Sequence, residues 1–284
     1  MATSIVTTYD NTRAAVLSMD VGSADEENLY RIRFGDTIKY ISVDGGVYNH
    51  DTLEFPPYLF EQLPALPVGN WTTARIFRER EEQASREHEA PPLRYELLFT
   101  PLKGVASINV WHSSMVDVND LEEVGFMSAR VRVVRYGEQR VTAIAKIARF
   151  DFEIPWVEQE TAAYRRLDCQ GVAPKFLCHL TEHGRVMGFL MEKLEGRSAH
   201  IDDLETCQNL VRKVHALGIL HGDLNRHNFV ISKSGAKILD FEHATLGDGS
   251  LLATEMDTEF VQLVKNLQED TGLGEKLLLM YEDI

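Results

Sequence analysis

The sequence is short of positive charge and of cysteine, and it has no long apolar run. Lys and Arg number 29 against 44 Asp and Glu, a formal charge of −15 over 284 residues. Binding to a phosphate backbone needs a basic surface, so nucleic acid is not an expected partner. The same sign disfavours adhesion to an anionic membrane. No window approaches the run of about 18 apolar residues that a membrane span needs. The opening MATSIVTTYDNTR lacks the basic region and apolar stretch of a secretory signal. Three cysteines, Cys169, Cys178 and Cys207, lie far apart and are odd in number, which suits reduced thiols. A cytoplasmic globular protein is predicted, in which the Asn70-Trp71-Thr72 sequon goes unused.

Several chemistries are missing too. There is no G-x-x-x-x-G-K-[ST] phosphate loop, no G-x-S-x-G elbow, no H-E-x-x-H and no C-x-x-C pair. Walker-type nucleotide enzymes and the commonest hydrolase and zinc sites are therefore not expected.

What is present is ordinary globular composition, 44% apolar and 26% charged, in a chain long enough for one large domain or two smaller ones. Residues 1–70 read as an accessory segment. In it, NLYRIRFGDTIKYISVDGG (28–46) alternates as a β-hairpin, and the proline-punctuated 54–71 reads as an extended, wrapping linker. The mixed-charge run 78–92 reads as a solvated loop or a short exposed helix. Residues 129–136 and 139–150 read as two strands joined by a tight turn. A helix over 153–168 places Val157, Glu160, Tyr164 and Leu167 on one face. A second hairpin over 175–196 turns at His183-Gly184. A helix capped by Asp202 or Asp203, with Leu204, Cys207, Val211 and Val214 as its stripe, ends near Gly218. An amphipathic helix over 250–267 follows. The boundaries 1–70, 71–194 and 195–284 describe an α+β protein with a cleft between two lobes.

Immediately after Gly218 comes HGDLNRHN (221–228), in which His221, Asp223 and Asn228 fit H-x-D-x-x-x-x-N. Twelve residues past Asn228, the apolar run Ala236-Lys237-Ile238-Leu239 delivers Asp240. Two carboxylates and an amide oxygen in neighbouring loops suit Mg²⁺, which prefers hard oxygen ligands. Phosphoryl transfer needs such groups, because its catalysis is largely positioning and charge neutralisation. Taken alone, H-x-D-x-x-x-x-N also fits a turn whose Asp and Asn cap backbone groups.

With Lys146 in the strand TAIAK and Glu160 on the next helix, the order resembles the protein-kinase-like fold. It is closer to the atypical branch, with aminoglycoside phosphotransferases and choline kinases, than to typical protein kinases. The runs EIPWVEQETAAY, PKFLCHLTEHGRVMGFLMEKL, LHGDLNRHNFVI and ILDFE resemble a group of fungal kinase-like proteins often mislabelled as α-galactosidase precursors. The likeness covers roughly residues 60–284 and is strongest over 141–245. It implies a bilobal kinase-like fold with a short C-terminal lobe and an N-terminal β-rich accessory segment. ATP and Mg²⁺ are the implied nucleotide and metal, and the partner is a hydroxyl-bearing acceptor. Asp223 would be the catalytic carboxylate, and Asn228 and Asp240 the metal ligands. Lys146 would touch the α- and β-phosphates, with Glu160 as its ion-pair partner and Glu158 the nearest competitor for that role. Met191 would guard the back of the adenine pocket, whose edge would meet the Glu192 carbonyl and the Leu194 amide.

The sequence departs from that pattern in four places. The turn EEVGFMSARV (122–131) holds one glycine, Gly125, where a glycine-rich loop would cover the phosphates. Glu242 replaces the glycine of the Asp240 motif and could itself approach the metal. Asn225 stands where serine/threonine kinases carry Lys, and only 44 residues follow Asp240. A small-molecule acceptor is therefore expected in preference to a protein one. A protein partner and a pseudokinase scaffold are the alternatives. His221 is expected to support the loop, and His215 to be packed structure.

Overall fold

The computed structural model describes residues 7–79, 91–248 and 252–268. They form a mixed α+β protein with several sheets and, among the described residues, five α-helices. No helix among them is long and apolar enough to cross a membrane. The chain divides into two compact units, one ending at Leu102 and one beginning at Lys103.

The first unit is a five-stranded sheet with two short helices. Its elements are β1 (Ala14–Asp20), β2 (Asn28–Phe34), β3 (Thr37–Val43), α1 (His50–Glu54), α2 (Pro56–Gln62), β4 (Thr73–Arg78) and β5 (Leu93–Leu98). The expected hairpin is β2–β3, paired from Asn28↔Val43 to Phe34↔Thr37. Strand order is β1-β2-β3-β4-β5, antiparallel except for β3 and β4. That parallel pair needs a crossover, and crossovers are ordinarily helical. Residues 56–62 are accordingly helical where the prolines suggest an extended linker, while 63–71 carry no helix and Pro67 bridges Thr8. Asn49 caps α1 through Thr52 N–H, and Pro56 sits at the start of α2, where its missing N–H costs nothing. The helices bury Leu53 and Leu59 against Tyr30, Ile41, Trp71 and Ile76. Because β4 and β5 complete this sheet, the boundary expected at 70 falls inside the first unit. Most of the mixed-charge run, residues 80–90, lies outside the described residues.

The second unit opens with β6 (Met115–Asp117), β7 (Glu122–Phe126), β8 (Val131–Tyr136) and β9 (Val141–Ile147). Helix α3 (Ile154–Leu167) and the hairpin β10 (Phe176–Glu182) and β11 (Arg185–Glu192) follow. The sheet runs β6-β10-β11-β9-β8-β7, which puts β9 in its interior between β8 and β11. His183 and Gly184 both have positive φ, as a two-residue hairpin turn requires. Beyond β11 come β12 (Arg197–Ser198), α4 (Leu204–Ala216), β13 (Ile219–Leu220), β14 (Phe229–Ser232), β15 (Gly235–Ile238), β16 (Thr245–Leu246) and α5 (Ala253–Gln268). Asp203 does not cap the amides of α4. It accepts the His200 N–H at 2.8 Å and pairs in a fork with Arg197, bracing the turn ahead of the helix.

Helix α3 buries Ile154, Val157, Glu160, Thr161, Tyr164 and Leu167, a stripe at helical spacing. Tyr164 meets Phe176, Phe189 and Phe241 at ring separations of 5.7, 5.4 and 5.9 Å. This aromatic block fixes α3 on the sheet. Nearby, His179 on β10 is fully buried beside Phe176 and accepts the His112 N–H at 3.3 Å. Burial, helped by His112, lowers its pKa from 6.5 to about 4.

Below pH 6.5 the unfolded chain takes up a proton at His179 that the folded chain refuses until about pH 4. Its share of stability is complete above pH 6.5 and falls by up to about 1.4 kcal/mol per pH unit between those limits. Urea unfolding at a series of pH values should show this slope, and His179→Gln should flatten it relative to the wild type.

Candidate active site

The site is built around Lys146, which β9 carries into the sheet interior opposite Val131 of β8 and Phe189 of β11. Only 5% of its side chain is exposed, so its charge survives only with partners. It has three. Nζ lies 2.6 Å from Glu160 Oε2, 2.5 Å from Asp240 Oδ1 and 3.1 Å from Glu242 Oε2. Burial alone would discharge the ammonium; the three carboxylates outweigh it and hold its pKa above the ordinary lysine value. Glu160 moves up, because burial and the neighbouring carboxylates outweigh Lys146. Asp240 moves down despite its burial, because Lys146 and then His221 and Arg130 favour its charge.

Glu160, not Glu158, is the partner of Lys146. Glu158 points elsewhere, accepting from Ala106 N–H at 3.1 Å and Asn109 Nδ2 at 2.9 Å. Asp240 stands in the left-handed region with φ 64°, a conformation that costs a non-glycine residue energy. Its neighbour Phe241 donates its N–H to Glu160 Oε1 at 3.3 Å and packs between Tyr164 and His221.

The H-x-D-x-x-x-x-N loop follows β13. His221 is buried, and its Nε2–H donates to Leu239 O at 2.8 Å while Nδ1 accepts the Asp223 N–H at 3.3 Å. That pattern requires a neutral ring, and burial lowers its pKa accordingly. Leu239 N–H in turn donates to Asn228 O at 2.8 Å. Leu239 therefore ties both ends of the loop to the residue before Asp240. Asn228 is buried and donates its amide to Asp223 O at 2.8 Å and Asp223 Oδ2 at 3.3 Å, while Asp223 itself is exposed. Asn225 caps the following turn through His227 N–H at 2.9 Å. His221 braces this loop, the supporting role expected of it.

Two residues were missed by sequence reasoning. Glu259 on α5 accepts the N–H groups of His221 (3.3 Å) and Gly222 (2.7 Å) and bonds His215 Nε2 at 2.6 Å. His215 is thus not simply packed structure; it orients this carboxylate. Arg130, in the turn between β7 and β8, pairs with Glu242 and stacks over Trp156 of α3 at 4.8 Å. No local motif marks either residue, since each partner lies far away in the sequence.

The remaining expected residues are not among the ion-pair partners of Lys146. Gly125 lies within β7, against Val133, and not in the turn; Met127 to Arg130 make the turn, held by hydrogen bonds between Met127, Ser128 and Val131. Met191 is buried, its Sδ accepting from the Tyr164 hydroxyl at 3.3 Å. Glu192 and Leu194 border a cavity of about 570 Å³ with Leu210, Val230 and Lys237. None of Lys146, Asp223, Asn228 and Asp240 lines that cavity. Leu194 does pack on Val230 and Leu239, an apolar surface that runs to the residue before Asp240.

Carboxylate oxygens of Glu160, Asp240 and Glu242 lie within 4.8 Å of one another. With all groups ionised, these three face two cations, Lys146 and Arg130, and one negative charge is left over. Hard oxygens with surplus charge fit a divalent cation such as Mg²⁺. Neither the protein-family models nor the curated proteins contain a match to this chain.

Glu259→Ala should leave two backbone amides and His215 without their acceptor and cost about 1–3 kcal/mol in chemical denaturation. Gly222→Ala should be worse tolerated than an ordinary loop substitution, since Gly222 has φ 82° and an added Cβ would lie 2.4 Å from His243 O.

Proposed function

We propose that this chain is a kinase-like phosphotransferase that uses ATP with Mg²⁺ and passes the terminal phosphoryl group to a hydroxyl. The observation that carries the reading is the Lys146 ammonium gripped by Glu160 at 2.6 Å and Asp240 at 2.5 Å, beside a loop stitched to Asp240 through Leu239. On this reading the fold from residue 103 onward is a compact kinase-like core, and the first unit is an accessory domain. The free thiols of Cys169, Cys178 and Cys207 suit the reducing cytoplasm as its location.

The roles follow from the chemistry. Asp223, exposed and steadied by Asn228, orients the acceptor hydroxyl and accepts its proton as oxygen attacks the terminal phosphorus. The bond from that phosphorus to the bridging oxygen breaks, and ADP leaves. Lys146 supplies positive charge to the phosphates, its position set by Glu160. Asp240 and Asn228 would hold Mg²⁺, which neutralises phosphate charge when bound. The Glu192 carbonyl and Leu194 amide present an edge for adenine, with Met191 behind it.

A cavity of about 430 Å³ borders Asp223, with Thr254, Glu255 and Thr258 in its wall. Its size favours a small acceptor over a protein segment. A second reading, a scaffold that keeps the fold without turnover, draws on Gly125, which sits in a strand where phosphate would need a backbone loop.

Asp223→Asn should retain the fold and abolish phosphoryl transfer; unchanged turnover in that variant would refute the assignment. Mg²⁺ and ATP at about a hundred times the dissociation constant should add about 2.7 kcal/mol and raise the unfolding midpoint by several degrees. Asp240→Ala should remove that shift. A shift without turnover on any hydroxyl acceptor would favour the scaffold.

A further inference from the structure

Glu242 stands where a glycine would leave the site with one carboxylate fewer, and the surrounding contacts keep it there. Its Oε2 pairs with Arg130 Nη2 and lies 3.1 Å from Lys146 Nζ; its Oε1 lies 3.7 Å from His243 Nε2. Its side chain is 13% exposed. Arg130 is itself pinned, stacked over Trp156 one turn before Glu160 on α3. The contacts close a ring: Lys146 to Glu160, along α3 to Trp156, then to Arg130, Glu242 and back to Lys146. Within such a ring Glu242 cannot simply swing away when a ligand arrives.

Its charge then has a consequence for what the site accepts. A free nucleoside triphosphate is strongly anionic, and it would meet a cluster already carrying one surplus negative charge. Lys146 is shared among three carboxylates, so it cannot offset the triphosphate alone. A nucleotide bearing a divalent metal brings two positive charges that the same carboxylates attract. Without the Glu242 charge the cluster would be neutral and this discrimination would weaken.

We propose that Glu242, held by Arg130, makes the site select nucleotide as its divalent-metal complex over free nucleotide. The proposal rests on the phosphotransferase reading and assigns a specificity-determining residue within it.

The test is calorimetric titration of the full chain at pH 8 with ATP in excess Mg²⁺ and with ATP in EDTA. The quantity read is the ratio of the two dissociation constants. Glu242→Gln, close in shape, should tighten free ATP and reduce the ratio about tenfold, or about 1.4 kcal/mol. Arg130→Gln leaves Glu242 uncompensated and should enlarge the ratio. The Arg130 variant keeps the proposal testable if the Glu242 variant does not fold. An unchanged ratio in Glu242→Gln, or a ratio that fails to rise in Arg130→Gln, overturns the assignment of Glu242. If Asp240→Ala still abolishes binding of the Mg²⁺ complex, the nucleotide site itself stands. No binding of Mg²⁺ and ATP by the wild type overturns the phosphotransferase reading and this proposal with it.

Discussion

A lysine ammonium in the interior of a sheet dictates much of the arrangement around it. Lys146 projects from an inner strand where water cannot solvate its charge, so partners must come to it from other elements. Glu160 arrives on α3, and Asp240 and Glu242 arrive after β15. Each must sit close to its place or leave a buried charge unpaired. The left-handed backbone of Asp240 is one sign of that demand, because an energetically unfavourable conformation persists only where its surroundings over-determine it.

Packing and electrostatics converge on the same few residues. Phe241, between Asp240 and Glu242, fills the space between Tyr164 and His221, so the apolar contact that seats α3 also seats the turn that carries Asp240. Leu239 does the equivalent through its backbone, accepting from His221 and donating to Asn228. Displacement of α3 would therefore disturb Lys146 and the loop together. The candidate site behaves structurally as one unit built from α3, β9, the 221–228 loop and the end of β15.

The parts legible in the sequence were those with local periodicity. The α3 stripe of Val157, Glu160, Tyr164 and Leu167 already placed a carboxylate on a buried helix face, a position acids seldom occupy without a partner. The β10–β11 hairpin, the β8–β9 pair and the loop before Asn228 were readable for similar reasons. What escaped was set by pairing between distant segments. Parallel pairing of β3 with β4 leaves no mark in either strand, so residues 73–98 could not be assigned to the first sheet and the prolines of 54–71 suggested a linker. Glu259 and Arg130 look like surface charges on their own elements, and only the fold reveals the partners they meet. Gly125 shows the reverse error, a glycine taken for a loop residue that lies in a strand.

Dependence of the 221–228 loop on α5 also sets an order of events in time. The amide of His221 finds its acceptor on Glu259, 38 residues further along the chain, and Asn266 of the same helix donates to Leu224 O at 2.5 Å. During synthesis the sheet, α3 and the loop itself all emerge before that helix does. A nascent chain halted before α5 would carry Lys146 and Asp240 without a settled Asp223. The site is thus completed only once α5 has been made, which keeps a chain halted before that helix from presenting an assembled centre.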